Sequence, residues 1–248
     1  MPRNIEHYIQ DYVNLKFEDI QEKYRFKRLV QLLSEMCVEQ NFKNILEVGP
    51  GRNTVSELFT DFDNYIILEP IEYFSSSFPS ANGKFQLRRE TIESFISSGP
   101  KEDFDLVILS SVLHELEDPE ALLLKLKDVI AIGSKVVVVV PNNLSLHRLI
   151  GEREGHAKAG PILTETEKRM QQSTSFSVES MQEFASAAGY LVKEIFTSFV
   201  KPHPHFRMHE LMAEEIVSEF ELDSLYSISK ILEPYGSEIF AVLEKSHD

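Results

Sequence analysis

The run Asn44-Ile45-Leu46-Glu47-Val48-Gly49-Pro50-Gly51 decides how this chain folds. Its first five residues have the length and apolar character of a buried strand, and Gly49-Pro50-Gly51 closes it. A strand that ends in a glycine-bearing turn and feeds a helix opens an α/β unit. Glycines at such a turn let the backbone pass close to a ligand, and the helix behind it presents free N–H groups. Here that helix is predicted from about residue 53 to residue 59.

The alternation extends in both directions. Residues 20–40 read as a helix with Phe26, Leu29, Val30, Leu33 and Cys37 on one face. Cys37 on that face is a small buried hydrophobe. Strands are predicted at 65–68, 84–88 and 104–109. Asp118-Pro119-Glu120 reads as an N-cap followed by proline in the first turn. That helix carries Leu122, Leu126, Val129 and Ile130 inward, and Gly133 breaks it. Lys135–Val140 is an aliphatic run, as expected of a strand covered on both faces. Residues 142–176 are polar and irregular, with a short helix at 164–172. A helix at 177–188, ended by Gly189, precedes a strand at 191–198. A second insertion, 199–232, holds a helix within 208–220, and a last strand covers 236–245. The expected organisation is one α/β domain over 1–248, with a helical cap at 1–40. The insertions 142–176 and 199–232 would form a lid over the acceptor.

Composition narrows the function. The 248 residues are 42% hydrophobic and 26% charged, which suits a soluble globular protein. Lys and Arg total 25 against 40 Asp and Glu, a net charge of −15. That balance disfavours gripping nucleic-acid phosphates or docking on anionic lipid. The single cysteine excludes an internal disulfide and a cysteine-held zinc or iron–sulfur site within this chain. No apolar leader is visible at the start, and Val136–Val140 is too short to span a bilayer. The expected setting is the cytoplasm, as a monomer or homodimer.

Glu69 ends the second strand, 20 residues after Gly49. An acid there accepts hydrogen bonds from the two ribose hydroxyls of an adenosine. A dinucleotide would call for a third glycine at position 54, where this chain has Thr54. Glu47, two residues before the first glycine, would welcome an ammonium group and repel a pyrophosphate. No phosphate-binding P-loop motif occurs.

The segments ILEVGPG (45–51), YIILEP (65–70), ETIESF (90–95), FDLVILSSVLHELEDP (104–119) and KVVVVVPN (135–142) together resemble the class I S-adenosylmethionine-dependent methyltransferases, over about residues 40–142. The resemblance implies a Rossmann-like, doubly wound, seven-stranded sheet with the last strand antiparallel. It implies S-adenosyl-L-methionine as cofactor, with Glu47, Gly49 and Gly51 around its methionine part. It puts Glu69 on the ribose with Pro70 beside it, Thr91 and Ile92 along the adenine, and Ser110 next to the cofactor. Two departures stand out. Asn53 replaces a frequent third glycine, and its tolerance of unusual backbone angles predicts a local adjustment. Leu113-His114-Glu115 stands where the family often reads Leu-Glu-His.

Methyl transfer from a sulfonium is an in-line displacement that needs no metal and gains from holding the reactants close. A hydroxyl or ammonium acceptor must also lose a proton, so a base helps. His114, in the loop after the fourth strand, is the first candidate; its alternative role is to pack the pocket or cap a helix. Residues 141–155 resemble a segment of a subset of these enzymes associated with sugars and surface polysaccharides. Asn142, Asn143, His147 and Arg148, with Ser145, are the candidate acceptor-binding residues. His203, His205 and His209 have a spacing that metals use, but no acid completes a site, so no metal is expected; the alternative is that this segment lines the acceptor pocket. The six acids of 209–223 are expected to face solvent. Tyr8, Tyr12 and Tyr24 either close over the cofactor or pack. The expected activity is methylation of a small polar, sugar-like acceptor, on oxygen first. The alternatives are N-methylation of a small amine, nicotinamide-dependent oxidoreduction, and cofactor binding without catalysis.

Overall fold

A computed structural model describes residues 9–10, 18–75, 78, 83–100, 103–155 and 158–246. The strands are β1 (Asn44–Val48), β2 (Asn64–Leu68), β3 (Phe85–Arg88), β4 (Phe104–Ser110), β5 (Ile130–Pro141), β6 (Tyr190–Ser198) and β7 (Glu238–Lys245). They form one seven-stranded sheet in the order β3-β2-β1-β4-β5-β7-β6. Neighbours from β3 to β5 are parallel, whereas β7 runs antiparallel between β5 and β6. The order reverses between β1 and β4, which opens a crevice at the carboxyl ends of those strands.

The aliphatic runs form strands because both faces of the sheet are covered. Val136 through Val140 are fully buried. Leu46, Val48, Val107, Val136 and Val138 face one core with α3 (Ile92–Ser97), α4 (Pro119–Leu126) and α7 (Val178–Ala187). Ile45, Ile67, Ile108, Val137 and Val139 face the other, with Leu29, Leu32 and Leu33 of α1 (Glu18–Glu39). Burying each such side chain contributes about 1.5–3 kcal/mol, so a polar residue within these runs would be costly. The face of α1 that carries Leu29 and Leu33 packs as its spacing predicts, and Cys37 is half-buried there, its thiol pushed up by burial.

Several elements differ from the sequence reading. Residues 53–59 hold only a 3-10 turn, Ser56–Leu58. The N–H of Val55 and the hydroxyl of Thr54 are bound to Glu47, and Thr54 Oγ1 in turn accepts from Ser56 N, so the first turn of a helix has no free groups to organise. The helix after Asp118 ends at Leu126; Val129 lies in a 3-10 turn, and Ile130 already pairs with Phe104 as the start of β5. Gly133 therefore sits within β5, at φ +81°. A four-residue helix, α2 (Glu72–Ser75), follows β2. The first insertion is more ordered than its composition suggests, with α5 (Leu146–Arg153) and α6 (Glu165–Arg169). The second holds two helices, α8 (His205–Ala213) and α9 (Glu219–Ser227), split where Ser218 caps α9 in a reciprocal box with Glu221.

The second insertion docks on α1 through Tyr24, Phe199, Met208 and Leu222. Tyr24 stacks on Phe199 at 4.3 Å between ring centroids, so it is a packing residue. Tyr8 and Tyr12 lie outside the described residues. The acids of 209–223 do not all face solvent alone: Asp223 pairs with Lys27 at 3.1 Å and Glu219 with Lys23 at 3.5 Å. Among the described residues, no helix is long and apolar enough to cross a membrane.

Candidate active site

The carboxyl edge of the sheet opens into a cleft with a cavity volume of about 1780 Å³. Its walls come from the glycine turn, the ends of β2 and β4, α1, both insertions and the start of β7. At one end, Gly49 and Gly51 adopt φ +61° and +66°, which only glycine takes without strain. A Cβ on Gly49 would lie 2.2 Å from Val112 Cγ2, so this turn is pressed against the loop after β4. Asn53 needs no unusual angle, since it is not among the residues of positive φ; its side chain donates to Glu22 of α1 instead. Glu22 also accepts from Arg52 N at 3.1 Å, so α1 braces the turn.

Glu69 lines the cleft next to the turn and is almost fully buried. It accepts from Ile71 N at 2.9 Å. Burial pushes its carboxyl up to about 7, against N–H groups of Ile71 and Gly51 that favour the charged form; Glu115 adds to the rise. Two ribose hydroxyls would add donors to those N–H groups and favour the charged carboxylate further. Pro70, Thr91, Ile92 and Ser110 line the same end. Thr91 caps α3 by accepting from Ser94 N. Ser111, which the sequence reading passed over, is held at φ +57° with its N–H bound to Val139 O, and it too lines the cleft. A non-glycine residue held in that region beside a binding crevice marks a constrained site. These residues fit an adenosine cofactor.

Glu47 lies outside the cleft lining, and its carboxylate accepts from Thr54 Oγ1, Val55 N at 3.0 Å and Tyr65 OH at 2.8 Å. Its role is to fasten the turn from beneath.

His114 is buried and lines the cleft, with its carbonyl accepting from Ser173 N and Thr174 N. The acceptor candidates divide. His147 lines the cleft, with Nδ1 3.0 Å from Ser145 Oγ; burial, and then the charges of Lys201 and Arg148 and the nearby His205, hold its imidazole well below the usual range. Arg148 borders the cleft, but its guanidinium is engaged by Glu167 and by the carbonyls of Lys158 and Ile162. It ties α5 to the rest of the first insertion. Asn142 donates to the carbonyls of Pro234 and Gly236, both at 2.8 Å, and so shapes the approach to β7. Asn143 lies outside the lining, its backbone joined to Phe176 and Gly160.

The far end of the cleft holds a charged network that no sequence pattern announced. Arg25 of α1 bonds Glu238, the first residue of β7, and Glu18 at 3.2 Å. Lys201 donates to Gln21 at 2.8 Å, and burial pushes its amine down to about 8, partly offset by Glu18 and Glu238. His205 Nδ1 lies 3.5 Å from Glu18 Oε2. Burial, then the charges of Lys201 and Arg25, hold its imidazole well below the usual range, while burial raises Glu18. On α1 these polar residues recur at helical spacing and read as a solvated face; only the docking of residues 199–232 buries them. Among the described residues, no group of three or more His, Cys, Asp and Glu side chains is placed to hold a metal.

Comparisons with known proteins agree with this geometry. The model of a family described as a methyltransferase domain matches residues 19–195. No curated protein matches significantly. Among solved structures, the plantazolicin methyltransferase BamL, in complex with a triazolic substrate analogue and S-adenosylhomocysteine, is similar at TM-score 0.60 and 14% identity, covering 98% of this chain and 96% of that one. A possible histamine N-methyltransferase from Thermotoga maritima is similar at TM-score 0.56 and 17% identity, covering 97% and 99%. A methyltransferase from Mesorhizobium loti is similar at TM-score 0.55 and 12% identity, covering 83% and 91%. At such identities the likeness speaks for the fold, and the family match speaks for the chemistry. The chain belongs to the methyltransferase-domain family and is an enzyme of the class I, S-adenosylmethionine-dependent kind.

Proposed function

We propose that this enzyme methylates a hydroxyl of a small polar acceptor held in the cleft, in the cytoplasm. When bound, S-adenosylmethionine supplies an electrophilic methyl on a sulfonium. The glycine turn and Glu69 hold that cofactor at one end, and the acceptor takes the space toward β7. The observation that carries the reading is that His147 and His205 both line the cleft, where burial holds their imidazoles well below the usual range. A hydroxyl is a poor nucleophile until its proton leaves, and a neutral imidazole accepts that proton. Glu18 beside His205 Nδ1 orients the ring and stabilises the imidazolium that forms. His205 is thus the first base and His114 the second. The net charge of −15 favours a small molecule over a nucleic acid.

Amine methylation is the second reading, favoured by Glu90, Glu93, Glu115 and Glu117 along the cleft wall, which would draw in a cation. An assay of S-adenosylhomocysteine release over matched polyols, hydroxy acids and primary amines decides between them. Turnover with hydroxyl compounds is expected; turnover confined to amines would reverse the assignment.

A further inference from the structure

Glu22 stands where α1 meets the glycine turn. Glu18, Gln21, Glu22 and Arg25 recur at helical spacing, and all four line the cleft. Glu22 is 5% exposed, and its Oε1 accepts from Arg52 N and Asn53 Nδ2, both at 3.1 Å. A Cβ built on Gly51 would lie 3.4 Å from that same oxygen, so the carboxylate rests directly against the turn. Arg52 turns its guanidinium to Asp19 and gives Glu22 its backbone N–H. The other buried acids of the cleft serve other places. Glu18 and Glu238 hold Arg25 at the far end, and Glu69 takes the N–H groups of Ile71 and Gly51. Glu22 and Glu69 therefore flank one glycine, Gly51.

We infer that Glu22 is the acid that receives the ammonium of the cofactor's amino-acid tail. The sequence reading gave that part to Glu47, which lies outside the cleft lining, and no pattern around the glycine turn points to a residue of α1. The inference concerns the cofactor and does not depend on which acceptor is methylated. S-adenosylmethionine joins a ribose to an amino-acid tail through one sulfur, so two acids flanking one glycine suit its two groups of donors. Glu69 is the acid for the hydroxyls and Glu22 the acid for the ammonium. An ammonium carries three donors and no acceptor, and a carboxylate accepts at about four positions. The two N–H bonds to Glu22 Oε1 do not exhaust that capacity. At 5% exposure the pairing is little screened by solvent, and a charge-assisted bond there is stronger than a neutral one. The same carboxylate braces the turn and reads the ligand, so bracing alone has to be told apart from binding.

The test is a cycle of two ligands and two proteins, read by calorimetry on the full chain. The ligands are S-adenosylhomocysteine and its deamino analogue, in which hydrogen replaces the amine of the tail. The parent should bind S-adenosylhomocysteine about tenfold or more tighter than the analogue. Glu22→Gln keeps an Oε1 that accepts from Arg52 N and Asn53 Nδ2 and removes the charge. It should cut that preference to about threefold or less, by weakening S-adenosylhomocysteine while the analogue binds within about threefold of the parent. Retained affinity for the analogue also shows that the variant folds. Glu22→Met, of similar length and uncharged, is read beside it and should lose the preference as well. A parent without the preference, or variants that weaken both ligands equally and so keep it, would overturn the inference and leave the adenosine end of the site standing. Failure of the parent to bind either ligand would sink the cofactor assignment itself.

Discussion

The two ends of the cleft are built on different principles. At the β1–β4 end, backbone geometry dominates: a glycine turn against Val112, a strained Ser111 and one buried acid. At the β7 end, side chains dominate, with Glu18, Gln21, Arg25, Lys201, His205 and Glu238 converging from three distant stretches of chain. A backbone cradle suits a ligand that never changes. A side-chain network changes its specificity with single substitutions while the cradle stays intact. In the proposed reading the first end takes the cofactor and the second the acceptor, and the contrast suits that division.

Substitutions can break or sharpen that division. The largest effect is expected from Gly49→Ala, where a new Cβ meets Val112 and a positive φ is forced on alanine. It should cost about 2–4 kcal/mol of stability by urea denaturation and abolish cofactor binding. Adding Val112→Ala should restore part of the stability; no recovery would show that the close approach is not what matters. His205→Gln should lower kcat about a hundredfold, with S-adenosylhomocysteine affinity unchanged by calorimetry. A loss of cofactor affinity there would merge the two ends. The smallest effect belongs to Tyr65→Phe, which removes one donor from the buried Glu47 carboxylate. It should cost about 1–3 kcal/mol and leave cofactor affinity within about twofold by calorimetry. A much weakened cofactor would return Glu47 to the binding site.

The same division explains what was legible in the sequence. The strands were readable because buried runs such as Val136–Val140 have no polar face to confuse them, and the cofactor end was readable because Gly49, Gly51 and Glu69 are close in sequence. The 53–59 helix was overestimated because Glu47 captures the groups that would start it. Helix α9 was missed although Ser218 and Glu221 carry the capping signature, and Thr164 with Glu167 marks α6 in the same way. Asn142 and Arg148 read as acceptor ligands because their types bind polar groups; tertiary contacts that no sequence pattern shows engage Asn142 with the Pro234 and Gly236 carbonyls and the terminal Arg148 nitrogens with Glu167, Lys158 and Ile162. The acceptor end was illegible because a polar stripe on α1 looks like a wet surface until another segment covers it, and burial of that kind is a property of the fold alone.

The most direct measurement is calorimetric titration of S-adenosylhomocysteine into the parent and Glu69→Gln between pH 6 and pH 8. Ribose hydroxyls donate to a charged carboxylate, so parent affinity should rise with pH through about 7, where the Glu69 carboxyl titrates. Glu69→Gln should bind about ten- to a hundredfold more weakly at pH 8 and show no such rise. Equal affinity in the two proteins, with the same pH dependence, would contradict the assignment of this end of the cleft to the cofactor.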